Sequence, residues 1–157
     1  MALVTQRDAP AVTVELLLLR ATGTGLAYRR VTAPLTGDGH PDNVALELGG
    51  RPTLLHSTSW RHTDGGLVLT YVALPDPSPS LPAATLDSAE LAVSDDPTRP
   101  SPPSVEVRQV AAHACRHLAW LARTDAIARR ALDDVPLLRD TLLQFAPAPA
   151  GLAGSAR

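Results

Sequence analysis

Leu54-Leu55-His56-Ser57-Thr58-Ser59-Trp60-Arg61 and the answering Leu67-Val68-Leu69-Thr70-Tyr71-Val72-Ala73-Leu74 decide the fold, and Asp64-Gly65 stands between them. Asp-Gly is a two-residue turn signal, because both central positions of such a turn need positive φ and this pair tolerates it. With Asp64 and Gly65 at the centre, Trp60 faces Leu69, Thr58 faces Tyr71 and His56 faces Ala73. A longer loop would slip the register by one and exchange every partner.

The first arm is polar on both sides, which a half-buried strand is not. By simple alternation His56, Thr58 and Trp60 point one way, and Ser57, Ser59 and Arg61 the other. Tyr71 joins the first set across the hairpin. Two readings stay open. His56, Thr58, Trp60, Tyr71 and Arg61 line a ligand pocket with aromatic walls and a few directed polar groups, or the strand is an edge whose hydroxyls meet water. His56 and Ser57 are neighbours on a strand, so they face apart and make no nucleophilic pair. No Gly-x-Ser-x-Gly elbow is present.

Upstream, Ala11–Arg20 alternates and then becomes continuously apolar, as a central strand does. Thr22-Gly23-Thr24-Gly25 turns it into a second strand, Leu26–Val31. A loop over Pro34–Asn43 leads to a short strand, Val44–Leu48, closed by Gly49-Gly50. Downstream, Pro75–Pro103 holds eight of the fifteen prolines and is interrupted by one short element, Thr85–Val93, read as a strand. From Ser104, a reasonable N-cap, the period becomes helical. Val107, Val110, Ala111, Ala114, Leu118 and Leu121 form one apolar stripe. Asp125 caps a second helix, Ala126–Leu132, and Pro136 opens a third that runs to Phe145.

The expected fold class is therefore α+β: a mainly antiparallel sheet of about five or six strands, covered by one long C-terminal helix and two short helices. Residues 1–146 make a single domain, with the sheet over 11–93, the helical layer over 104–145 and a flexible tail over 147–157.

At 157 residues, 45% hydrophobic and 19% charged, the composition is that of a globular domain. Such a length buries roughly 68–70% of the unfolded surface. A net charge of −2 argues against nucleic acid as a partner. All 14 basic residues are arginine, a usage that a GC-rich genome explains. The lone Cys115 gives no disulfide framework and suits a reducing, cytoplasmic setting. No signal-peptide pattern opens the chain, and the longest apolar run, Leu16–Leu19, is far short of the ~18 residues that span a bilayer. No membrane is expected.

The remaining candidates are thin. His113 and His117 stand four apart on the long helix beside Trp120, a spacing that can share a zinc ion, but Ala114 stands where a zincin carries its glutamate. They read as boundary histidines and only weakly as metal ligands. Asp38, His40 and Asp42 begin like a calcium loop, yet Gly49 occupies the place of the bidentate glutamate. Gly23-x-Gly25 lacks the third glycine of a dinucleotide fingerprint, and the P-loop lysine is absent. No cofactor is implied.

The Leu54–Arg61 segment with Gly66–Tyr71 resembles a pattern in uncharacterised bacterial proteins from GC-rich genomes. That likeness spans the hairpin and the long helix, and it implies no function. The order of Val12–Arg20, Ala45-Leu46-Glu47-Leu48-Gly49-Gly50 and the hairpin is similar to that of Nudix hydrolases. Their helix supplies an Arg-Glu and paired glutamates that hold metal ions. Here Glu15, Glu47, Glu90 and Glu106 are never adjacent, and the hairpin begins where that helix should stand. The likeness implies a Nudix-like sheet without Nudix chemistry.

Three functions follow as expectations. The first is a non-enzymatic cytoplasmic binding or interaction protein whose partner is an unknown protein, a homodimer being one form of it. The second is a small-molecule binder or enzyme with its pocket at the His56–Arg61 strand, including a degenerate Nudix-like domain. The third is a metal-dependent hydrolase built on His113 and His117.

Overall fold

Val14 to Leu19 are six consecutive buried residues of β1 (Ala11–Thr22), and a strand buried on both faces needs cover on both. A computed structural model describes residues 10–23, 25–86, 106–149 and 151–152 and shows what that cover is. β1 turns into β2 (Gly25–Pro34), antiparallel from Thr22–Gly25 to Thr13–Pro34. The decisive hairpin forms as β3 (Leu54–Thr63) and β4 (Gly66–Leu74). The two hairpins join through their inner strands: β1 pairs with β4 in parallel, from Ala11–Gly66 to Leu18–Ala73. With β5 (Ala84–Leu86) beside β2 and the two-residue β6 (Gly151–Leu152) beside β3, the order is β5-β2-β1-β4-β3-β6.

The sheet is mixed, and most of its pairings are antiparallel. The parallel seam lies at its centre, where two separate hairpins meet, and periodicity within either hairpin carries no signal for it. Gly66 is where the seam begins. Its φ is 135°, and a Cβ there would lie 2.0 Å from the Ala11 carbonyl oxygen, so only glycine fits.

Cover comes from both sides. On one face α2 (Val107–Thr124), α3 (Ala126–Asp133) and α4 (Pro136–Leu142) bury Leu17, Leu19, Tyr28, Val72 and Leu74. On the other, α1 (Pro41–Gly49) covers Val14, Leu16, Leu18, Tyr71 and Ala73. The expected cover by C-terminal helices alone is thus corrected: a helix stands where the strand Val44–Leu48 was expected.

The reason is local. Pro41 opens the helix, the His40 side chain accepts from Asp42 N at 3.2 Å, Asp42 lies in the first turn, and Gly50 ends it in the left-handed conformation. Val44, Leu46 and Leu48 have strand spacing, but the residues turned to the sheet are the buried Ala45 and Gly49 with the partly buried Val44 and Leu48, which have helical spacing. Leu46 is 49% exposed.

At the C-terminal end, Asp125 accepts from Ile127 N and Ala128 N, both at 2.8 Å, and caps α3 as expected. Ser104, Asp87–Val93 and residues 153–157 lie outside the described residues. The N-cap of α2 is Glu106, whose backbone N–H donates to Gln109 Oε1 at 3.0 Å. Of the expected tail, residues 147–149 run along α2 and 151–152 pair with β3.

Candidate functional site

β3 changes phase in its middle. From the turn to Ser59 the register is the one expected, with Trp60 opposite Leu69. Beyond it Ser57 pairs with Tyr71 and His56 with Val72, which leaves Thr58 as the extra residue of a β-bulge. The single-face assignment of His56, Thr58 and Trp60 is therefore corrected. His56, Ser59 and Arg61 face the α2 layer, whereas Ser57, Trp60 and Tyr71 face the α1 side. The bulge explains the two-sided polarity, because a strand whose phase changes shows no clean alternation. Thr58 itself is buried, and its hydroxyl lies 3.4 Å from the Thr70 carbonyl oxygen.

Tyr71 keeps a common face with Trp60. It lies under α1 with its hydroxyl donating to Asp42, and burial together with that carboxylate pushes the phenol well above its usual range.

On the α2 side, His56 joins both helix histidines. Its ring centroid is 5.1 Å from that of His117, which stacks on Trp120 at 5.7 Å. His113, one turn earlier, faces the Thr58 backbone. Burial lowers all three imidazoles. For His117, burial outweighs the Ala148 backbone contact, which raises the value. With His56 and His113 adding to the depression, His117 lies at about 4.

The cluster is therefore neutral near pH 7. His113 Nε2, His117 Nε2 and Ser59 Oγ are buried without a hydrogen-bond partner. Among the described residues, no group of three or more His, Cys, Asp or Glu side chains is placed to hold a metal ion. Cys115 is wholly buried, and burial pushes its thiol upward.

The residues that alternation did not single out are two acids. Glu15, fully buried in β1, accepts from Arg61 at 2.8 and 2.9 Å, from Arg30 at 2.6 Å and from Thr70 at 2.8 Å. Burial pushes its carboxyl up, but these hydrogen bonds prevail and hold it below the usual range. Asp76, just past β4, takes Arg29 at 2.7 and 3.2 Å, Arg20 at 3.4 Å and Ser78 N at 2.9 Å. Its carboxyl is held low in the same manner. The signal for Glu15 was present: a lone glutamate beside Leu16–Leu19 has to be paired. Arg61, counted as a site residue, is its main partner.

Trp60 is 43% exposed and Trp120 37%, while Tyr28, Tyr71 and Phe145 are buried. The largest apolar side chains of a chain with five aromatics thus lie on its surface. They flank β3, Trp60 on the α1 side and Trp120 on the α2 side through the His117–His56 row. A groove of about 480 Å³ opens at the other side of the sheet, lined by Tyr28, Arg30, Pro82, Ala84 and Val107 among others.

No helix among the described residues is long and apolar enough to cross a membrane. The stretch that resembles the Nudix order, Ala45–Gly50, ends α1 with Glu47 exposed.

No family model, curated protein or solved structure matches this chain.

Proposed function

We propose that this chain is a binding module for another polypeptide, and that it acts without catalysis. One observation carries the reading: both tryptophans are exposed and they bracket a single strand, while both tyrosines and the phenylalanine are buried. Burying a large aromatic is the strongest single stabilising move open to an aromatic-poor core. Tryptophan at a surface is the residue that most often anchors a protein interface. The ionisable groups nearby support the same reading, since Arg61 serves Glu15 and the histidines are held neutral.

Trp60→Ala and Trp120→Ala test it. Each variant should stay folded with a melting temperature only a few degrees below wild type, because the covered part of each indole, 43% and 37% exposed, still contributes about 1–2 kcal/mol. Each should also lose the partner that the wild-type chain retains in cross-linked cell extracts. A loss of ~3 kcal/mol or more would make the tryptophans core residues, and unchanged partner recovery would remove them from any interface.

A second reading rests on the groove beside β2. Its volume, about 480 Å³, is that of a small-molecule site. Tyr28 and aliphatic surface line it, and the Arg29 and Arg30 guanidiniums at its wall are already paired with Asp76 and Glu15, which suits a small uncharged, largely apolar ligand. A thermal-shift screen of small apolar molecules separates the two readings. A stabilising hit lost in Ala84→Phe, which narrows the groove, but kept in Trp60→Ala would favour the groove.

A further inference from the structure

His113 and His117 stand one turn apart on α2, both buried, and each leaves its Nε2 atom without a hydrogen-bond partner. The tautomer of each ring follows from its other nitrogen. His117 Nδ1 lies 3.2 Å from the Ala148 carbonyl oxygen, which can only accept, so the proton sits on Nδ1 and Nε2 carries a bare lone pair. His113 bonds to the Thr58 backbone, and because its Nε2 has no partner that contact belongs to Nδ1. The second ring thus presents the same lone pair.

An imidazole anchored through one nitrogen on a backbone carbonyl, with the other nitrogen free to donate a lone pair, is how a protein holds a metal ligand. Buried acceptors seldom go unpaired in a native fold. Ser59, next to the Thr58 contact on β3, turns a third unpartnered polar atom, its hydroxyl oxygen, to the same layer.

The donor set selects the ion. Zinc in a closed site takes four protein donors, and a buried divalent ion needs negative charge beside it. Among the described residues no three His, Cys, Asp or Glu side chains converge on one point. Cys115 stands about 200° around the helix from His113. His56 lies beside His117, with ring centroids 5.1 Å apart and 33° between the planes, and does not complete a set of three. Two neutral imidazoles with no anion suit a monovalent ion that is satisfied by few nitrogen donors, and among biological metals that ion is Cu(I). A single charge also carries only about a quarter of the burial cost of a double one, because that cost scales with the square of the charge.

We infer that His113 Nε2 and His117 Nε2 form a Cu(I) site between α2 and β3. The site is independent of the polypeptide-binding reading, which neither needs it nor supplies it.

The test titrates the full chain, without oxygen, with Cu(I) held by a chromophoric chelator, so that uptake is read as lost colour. About one equivalent should transfer. At about 100 times its dissociation constant the ion should raise the melting temperature by roughly 5–10 °C. Long-range proton–nitrogen spectra of the imidazoles read the ligands in the wild-type chain, where the Nε2 resonances of His113 and His117 should both move. His113→Asn and His117→Asn should each weaken uptake by about a hundredfold, and Cys115→Ala should leave it unchanged.

A chain that takes no Cu(I) from the chelator overturns the assignment, and an ordered water is then what satisfies these atoms. Uptake that leaves both Nε2 resonances in place overturns it, as does uptake lost in Cys115→Ala and kept in the histidine variants, which puts the ion on the thiol. Zinc binding more tightly than Cu(I) would bring in donors beyond the two imidazoles and also sink the proposal. Where a histidine variant does not fold, the wild-type spectra decide.

Discussion

Replacing Glu15 by glutamine probes the most heavily partnered polar group in the sheet. The substitution keeps the shape and removes the charge. Arg61, 12% exposed, would be left with two donors aimed at a neutral amide, and Thr70 would meet either an oxygen or a competing NH₂. Removing one partner of a buried ion pair costs about 3–5 kcal/mol, mostly as the uncompensated charge left behind. Arg30 is 42% exposed and can turn to water, so its share is discounted. The expected loss is therefore about 3–4 kcal/mol.

For a domain of this length each kcal/mol moves the melting temperature roughly 2–4 °C, which gives a fall of about 6–16 °C. Urea denaturation followed by circular dichroism is the assay, with an unchanged m-value showing that the same surface is exposed. The double variant Glu15→Leu, Arg61→Leu should recover most of the loss, because it removes both charges together. A Glu15→Gln chain within about 1 kcal/mol of wild type would refute the reasoning, as would a double variant no better than the two single losses added.

The other clusters give sharper contrasts. Asp76→Asn should cost about 2–4 kcal/mol, since it uncouples Arg29 and Arg20 from a fully buried acceptor; chemical denaturation measures it. Gly66→Ala should cost about 3 kcal/mol or more because its Cβ meets the Ala11 carbonyl. Gly65→Ala should stay within about 1 kcal/mol, since the position has open space around it and, contrary to the expectation for this turn, neither Asp64 nor Gly65 adopts a positive φ. His117 predicts a pH slope. Its folded value of about 4 lies below the 6.5 of a free imidazole, so the unfolded chain binds the proton first as pH falls. Stability is full above pH 6.5 and drains between 6.5 and 4, by up to about 3 kcal/mol. Unfolding followed across that window should be flatter in His117→Asn, and an equal slope in both chains would remove His117 as its source. The acids act in the same direction but lower, since Glu15 and Asp76 lose their stabilisation only as pH falls through their depressed values.

Both hairpins, the central burial of β1 and the three C-terminal helices could be read from the sequence, because each rests on a local pattern: Asp64-Gly65, the run Leu16–Leu19, and the stripe Val107–Leu121. Val44–Leu48 misleads because five residues carry both periods, and cover from outside the segment chooses between them. The parallel seam depends on which hairpin edges meet, and that is a property of neither hairpin alone. At the candidate site, His56, His113 and His117 are each visible as residues, but their meeting needs the α2 crossing. The Thr58 bulge hid the true faces. One extra residue inverts every side chain beyond it, and the polarity of His-Ser-Thr-Ser offers no apolar partner to mark where the inversion falls.

The parallel seam also sets a timetable. Its partners keep one separation, 55 positions, from Ala11–Gly66 through Leu18–Ala73. A ribosome adding roughly 5–20 residues per second makes β4 about 3–11 s after β1. Through that interval β1 and β2 can close on each other, yet the inner edge of the most apolar strand has no neighbour, and aggregation competes with docking there. The interval is a property of chain order and leaves the finished structure unchanged. Joining the second hairpin ahead of the first, with the helices kept in place, would shorten it. Such a permuted chain should reach the same sheet with a larger soluble fraction at equal stability.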